Sequence, residues 1–163
     1  MYKNILVPTD FSPASYQALE VAAELARQHG ATLHIMTIVE AALMSTPAPM
    51  MGPTGVPTMS LDVLLEEARQ QLKTVAQSLP DVLTRTCASL GVTAIEVVTY
   101  AHDYDIDLIV MATHGRTGAA RFFMGSTTEA VVRQATCPVL TLRPGARLWS
   151  TSAAHGEKES VQH

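Results

Sequence analysis

The stretch Asp107-Leu-Ile-Val-Met-Ala-Thr-His-Gly-Arg-Thr-Gly-Ala-Ala-Arg-Phe-Phe-Met-Gly-Ser126 constrains the fold more than any other part of the chain. Leu108 to Met111 is a short, unbroken apolar run, which suits a central parallel strand covered on both faces. Turn chemistry follows at once. Open α/β sheets bind ligands at the carboxyl ends of their strands, so Ala112 to Gly118 is expected on the rim of a site. Gly115 and Gly118 allow positive φ and close backbone approach. Gly125-Ser126 comes just before Thr128-Glu-Ala-Val-Val-Arg133, which reads as a helix. A helix amino terminus offers free N–H groups and a positive dipole end, and Ser126 adds a hydroxyl, so a phosphate suits the position. The same strand, glycine turn and capped helix also occur in domains that bind no nucleotide. No Gly-Lys-Ser/Thr follows, and the glycine spacings differ from GxGxxG, so neither a Walker A loop nor a dinucleotide fingerprint is present.

The rest of the chain supplies partners for that strand. Ile5 to Val7 reads as a first buried strand, and Ser12 with Pro13 as N-cap and first residue of a helix over Pro13 to His29. Ala18, Val21, Ala22, Leu25 and Ala26 form its apolar stripe, and Gly30 closes it. Ala31 to Val39 gives strand two. Residues 40–59 hold no usable periodicity, and Glu40 to Thr58 carries four prolines, two glycines and three methionines. Such a segment reads as a long flexible loop, either a functional lid or a simple insertion. Ser60 is expected to cap a second helix in which Leu61, Leu64, Leu65, Ala68, Leu72, Val75 and Leu79 follow helical spacing. Val82 to Cys87 is expected as an edge strand because of its threonines. Gly91 leads into a third helix with Ile95, Val98 and Ala101 facing inward. Asp107 opens strand four, Thr127 to Ala135 is helix four, and Pro138 to Leu142 is strand five. Five strands alternating with four helices imply a parallel sheet covered on both faces, with right-handed crossovers.

Composition sets the class. The chain has 163 residues, enough for one domain with a real core. It is 47% apolar and 16% charged, as expected of a globular, soluble protein. The net charge of -4 comes without a basic cluster, so no nucleic-acid partner is expected. No apolar stretch reaches membrane-spanning length, and Met1 enters a strand directly, so a cytoplasmic location is expected and no membrane contact. Cys87 and Cys137 form neither a CxxC nor a disulfide framework and read as buried small hydrophobes. The histidines are scattered, with no HxxxH or HExxH, so a metal site built by the protein alone is not expected. From residue 144 to 163 periodicity is lost, and a disordered tail is expected, with Trp149 as its one large aromatic.

Three segments together resemble the universal stress protein family: Asn4-Ile-Leu-Val-Pro-Thr-Asp-Phe-Ser-Pro13, Asp107 to Ser126, and Cys137-Pro-Val-Leu140. The resemblance implies a universal stress domain over residues 1–143. Its fold would be single-domain and Rossmann-like, of the adenine nucleotide α-hydrolase-like kind, with five parallel strands in the order 3-2-1-4-5 and four helices on both faces. It also implies a homodimer joined through strand five, Val139 to Leu142. ATP-binding members look like G-x2-G-x9-G-[S/T] after strand four. Here that frame falls on Ala112, Gly115, Gly125 and Ser126, so an alanine stands at the first glycine. If this position has β-region dihedrals, alanine costs little backbone energy, and the question becomes whether its Cβ meets ribose or phosphate.

By the same resemblance, Pro8, Thr9 and Asp10 lie after strand one beside the adenosine, and Ile38 and Met111 border the adenine. Gly115, Gly125, Ser126 and Thr127 would hold phosphates, and Arg116, with Arg121, would add charge unless solvated. The ligand implied is ATP or another adenine nucleotide, with Mg²⁺ arriving on its phosphates. His114 is the one candidate base, or else a turn residue. No P-loop lysine or Walker-type Mg²⁺ set is visible, so a regulatory module that binds ATP or AMP without consuming it is the first expectation. A slow ATPase and a ligand-free dimeric scaffold are the alternatives.

Overall fold

The computed structural model describes residues 1–40, 61–113, 124–143 and 145–146. Five strands, β1 (Asn4–Pro8), β2 (Thr32–Val39), β3 (Thr84–Leu90), β4 (Leu108–Ala112) and β5 (Val139–Leu142), alternate with four helices. The helices are α1 (Pro13–His29), α2 (Leu61–Gln77), α3 (Thr93–Asp103) and α4 (Ser126–Gln134). All strand pairs are parallel, in the order β3-β2-β1-β4-β5.

Period-two alternation divides the core between the two faces of the sheet. Ile5, Val7, Leu33, Ile35, Leu108 and Val110 point to one face, where Ala18, Ala22 and Ala26 of α1 and Leu72 and Val75 of α2 cover them. Leu6, Met36, Ile109 and Met111 point to the other, against Ala94, Val97 and Ala101 of α3 and Val131 of α4. The alanine stripe of α1 lets that helix lie close to the central strands. Its ends are set locally. Ser12 Oγ accepts the Ser15 N–H at 3.3 Å, Pro13 occupies the first turn, and Gly30 ends the helix in the left-handed region at φ 64°.

Asp107 precedes β4 and does a different job from the strand it introduces. Its carboxylate accepts the backbone N–H groups of Lys3 and Asn4 at 2.6 and 2.8 Å, which pins the start of β1 to the start of β4. Those two hydrogen bonds hold its carboxyl below the usual carboxylate range.

Two sequence expectations need correction. Strand three runs over Thr84–Leu90, not Val82 to Cys87, because pairing with β2 begins at Leu33↔Thr84. Val82 lies below the ladder as a buried plug of the first cluster. In α3, Ile95 is 55% exposed and the buried stripe is Ala94, Val97 and Ala101. Ala101 is inward as expected and Val98 is half-buried, while Tyr100 faces β2, where its hydroxyl meets His34. Cys87 and Cys137 are partly buried against the second cluster, and burial raises both thiol pKa values. Ser60, most of the 40–59 segment and nearly all of the 144–163 tail, Trp149 included, lie outside the described residues.

Candidate functional site

The crossovers diverge at the middle of the sheet. The chain leaves β1 through α1 on one face and leaves β4 through α4 on the other. β1 and β4 are neighbours, paired at Ile5↔Leu108 and Leu6↔Ile109. Their carboxyl ends therefore flank a topological switch point, the position at which open α/β sheets leave a crevice.

The β1 side of this switch point is tightly bonded. The Thr9 N–H donates to Met36 O at 2.8 Å, tying the end of β1 to β2. Thr9 is 6% exposed, its Oγ1 lies 3.0 Å from Ser15 Oγ, and it accepts the Phe11 N–H at 3.0 Å. The Asp10 carboxylate accepts the Ser12 N–H at 3.0 Å. Phe11 takes φ 60°, a strained value for a residue with a Cβ, and its ring packs on the first core cluster. Side-chain acceptors thus hold the Thr9 to Ser12 turn in one shape.

The β4 side is built by backbone. The Gly125 N–H donates to Thr113 O at 2.9 Å, and Thr128 Oγ1 donates to Ala112 O at 3.1 Å. These bonds seat the start of α4 against the end of β4. Gly125 is the N-cap at φ -61° and ψ 149°, a conformation open to any residue, so backbone freedom does not explain the glycine. Space does. A Cβ there would stand 3.1 Å from Thr113 O. Gly125 brings no side-chain cap to α4, and among the described residues no side chain is bonded to its first-turn N–H groups, which lie beside an exposed Ser126 and a half-buried Thr127.

Other expected residues fall as follows. Pro8 ends β1, half-buried, and Ile38 lies near the end of β2, half-buried against the second cluster. Met111 is 5% exposed within that cluster, so its side chain is core. Ala112 is half-buried, the last residue of β4 and paired with Leu142. It is not among the residues with positive φ, so its backbone carries no strain from the methyl group. Gly115 and Arg116, with His114, Gly118 and Arg121, lie outside the described residues. Thr113 falls within the expected rim and Thr128 within the expected helix, but the bonds by which Thr113 O and Thr128 Oγ1 seat α4 have no local sequence signal, because their partners lie far along the chain.

An open groove of about 870 Å³ lies elsewhere, between α2 and the edge strand β3, lined by Glu66, Arg69, Lys73, Thr84 and Thr86 among others. Glu66 is already engaged there by Gln70 at 2.8 Å and Arg69 at 3.5 Å, so the groove presents paired and mixed charge. Among the described residues, no three His, Cys, Asp or Glu side chains gather to hold a metal, and no helix is long and apolar enough to cross a membrane.

A sequence model of the universal stress protein family matches residues 1–143. The chain belongs to the universal stress protein family. Universal stress protein MJ0531 of Methanocaldococcus jannaschii is 33% identical over 147 residues, covering 88% of this chain and 83% of the relative. Among solved structures, universal stress protein UspA from Lactobacillus plantarum superposes with a TM-score of 0.64 at 29% identity, covering 87% of this chain and 98% of that one. Two more distant members share the fold. One was solved in complex with cAMP, at 22% identity and a TM-score of 0.61, covering 86% of this chain and 97% of that one. The other, from Archaeoglobus fulgidus, was solved in complex with dAMP, at 20% identity and a TM-score of 0.59, with the same coverage of 86% and 97%.

Proposed function

We propose that this universal stress protein binds an adenine nucleotide at the β1–β4 switch point and acts as a regulatory module rather than consuming its ligand. The observation that carries the reading is the amino terminus of α4, started from Gly125 without a side-chain cap among the described residues and seated by Gly125 and Thr128 on the end of β4. Backbone N–H groups and the hydroxyls of Ser126 and Thr127 would take the phosphates. Thr9, Asp10 and Ile38 would border the adenosine, with Met111 and Ala112 contributing backbone, and Gly115 and Arg116 would complete the phosphate loop. The cAMP and dAMP complexes of two family members support the ligand class.

Any Mg²⁺ would come with the phosphates, since the described residues offer no carboxylate cluster of their own. Binding one conformation better than another is sufficient for regulation, and no chemistry is required. Homodimerisation through β5 is part of the same reading. All four of its residues are half-buried at the sheet edge, and Leu140 and Leu142 already pack on the core.

Calorimetry and thermal shift with ATP, ADP and AMP test the reading. A saturable heat and a raised melting temperature are expected with at least one of them. Absence of both signals at about millimolar nucleotide, a concentration matching only about -4 kcal/mol of binding, would sink it.

A further inference from the structure

Beside the second core cluster lies a titratable side chain foreign to an apolar interior. His34 on β2 is 2% exposed and faces α3. Its Nδ1 lies 3.0 Å from the Tyr100 hydroxyl, and the two rings meet edge to face with centroids 5.7 Å apart. Tyr104 stacks on Tyr100 at 4.2 Å. The Nε2 of His34 is buried and has no hydrogen-bond partner among the described residues.

A neutral imidazole is tolerated in this setting, because one nitrogen works with the hydroxyl and only one polar atom is orphaned. A charged imidazole is not. Both nitrogens then carry protons, and the second N–H and the net charge would be buried without an acceptor. The groups that face His34 do not relieve this. From β3 come Arg85, paired beside it, and Cys87 one pleat further along. From α3 come Tyr100 and Tyr104. From β1 comes Leu6 at the same level, while the Asn4 amide is spent on the carbonyls of Tyr104 and Asp105. Glu96 on α3 is held by Ser89 at 2.5 Å, and the His102–Asp103 pair at the helix end is exposed. α1 and α2 cover the opposite face of the sheet.

The geometry points to a proton-triggered release of α3, in which charging His34 expels the Tyr100 to Tyr104 turn from β2 while α1 and its cluster stay packed. Burial first, and then the Arg85 charge, lower the His34 pKa from 6.5. The folded state is therefore neutral where an opened state, with its imidazole in water, takes up a proton at about 6.5. The stabilising contribution is complete above that value and is lost as pH falls from it toward the depressed folded pKa. Between about pH 7.5 and about pH 5.5 the linkage amounts to a rise of up to about tenfold in the α3 opening equilibrium, the limit being reached when the folded imidazole stays neutral throughout. α3 packs on α4, so loosening at the phosphate end of α4 would follow, a consequence that rests on the nucleotide reading. Release of α3 does not.

Hydrogen exchange on the full chain without nucleotide, corrected for the intrinsic pH dependence of exchange, reads this directly. Protection over α3 is expected to fall by more than about threefold, and by up to about tenfold, between those pH values while protection over α1 changes less than about twofold. His34→Gln should abolish the difference, and His102→Gln, on the exposed side of the same helix, should keep it. Should His34→Gln fail to fold, ¹⁵N NMR of the wild-type ring serves, and His34 is expected to stay neutral wherever α3 is protected. Three results would overturn the inference: an imidazolium signal from molecules whose α3 remains protected, equal acid loss in α1 and α3, or acid loss that persists in His34→Gln.

Discussion

α1 and α4 both begin where a central strand ends, on opposite faces of the same sheet, and their first turns are finished differently. α1 is closed by the protein itself. Ser12 caps it, and Asp10 and Thr9 accept the N–H groups of the turn that leads in. α4 starts from a glycine with no side-chain cap, and the threonine of its first turn bonds backward to Ala112 O instead of serving the helix. A Ser, Thr, Asp or Asn cap is worth about 1 kcal/mol over alanine but only about a few tenths over glycine, so α4 gives up little stability by starting from Gly125 while leaving room for an anion at its dipole end. The contrast sets an end closed by its own side chains against the end that the proposed function assigns to the ligand.

Substitutions at the two ends should therefore separate stability from affinity. Gly125→Val has the largest expected effect, because its Cβ would press on Thr113 O and unseat α4. Chemical denaturation should show a loss of about 1–3 kcal/mol, and calorimetry a loss of at least about 100-fold in nucleotide affinity. Ser126→Asp is the sharper test, since its two effects have opposite signs. A carboxylate in the first turn of α4 should raise stability by about 0.3–1 kcal/mol and lower affinity at least about tenfold through repulsion of phosphate. If both quantities moved together, the division between the two ends would fail. Ser12→Ala should show the reverse pattern, costing about 1 kcal/mol of stability with affinity unchanged within about twofold. Ala112→Gly should matter least. Ala112 lies in β4 without positive φ, so restoring glycine should change affinity by less than about threefold. A strong gain would instead mark a site closed by that methyl group and favour the ligand-free scaffold.

What could be read from the sequence was what is local. Ser12-Pro13 and Gly30 delimit α1 because capping chemistry acts within a few residues, and Leu108 to Met111 reads as a buried strand because both faces are covered. The order of the strands came from resemblance, not from periodicity. In α3 the inward place of Ala101 is legible but that of Ile95 is not, because Ile95, Val97 and Val98 give two apolar stripes and periodicity alone does not choose between them. The limits of β3 were misplaced because its threonines and alanine carry little pattern, and pairing with β2 sets where it begins. At the candidate site, the glycine and serine positions are visible, but the bonds from Gly125 to Thr113 and from Thr128 to Ala112 join residues far apart in the sequence. No periodicity encodes such pairs.

The claim that α4 receives the ligand is tested most directly by amide chemical-shift mapping during titration with ATP and AMP. The account predicts the largest saturable shifts at the N–H groups of Ser126, Thr127 and Thr128, with those of Ser15 and Tyr16 on the capped helix little changed. Saturable shifts centred elsewhere, such as the groove between α2 and β3, or no shifts at about millimolar nucleotide, would contradict it.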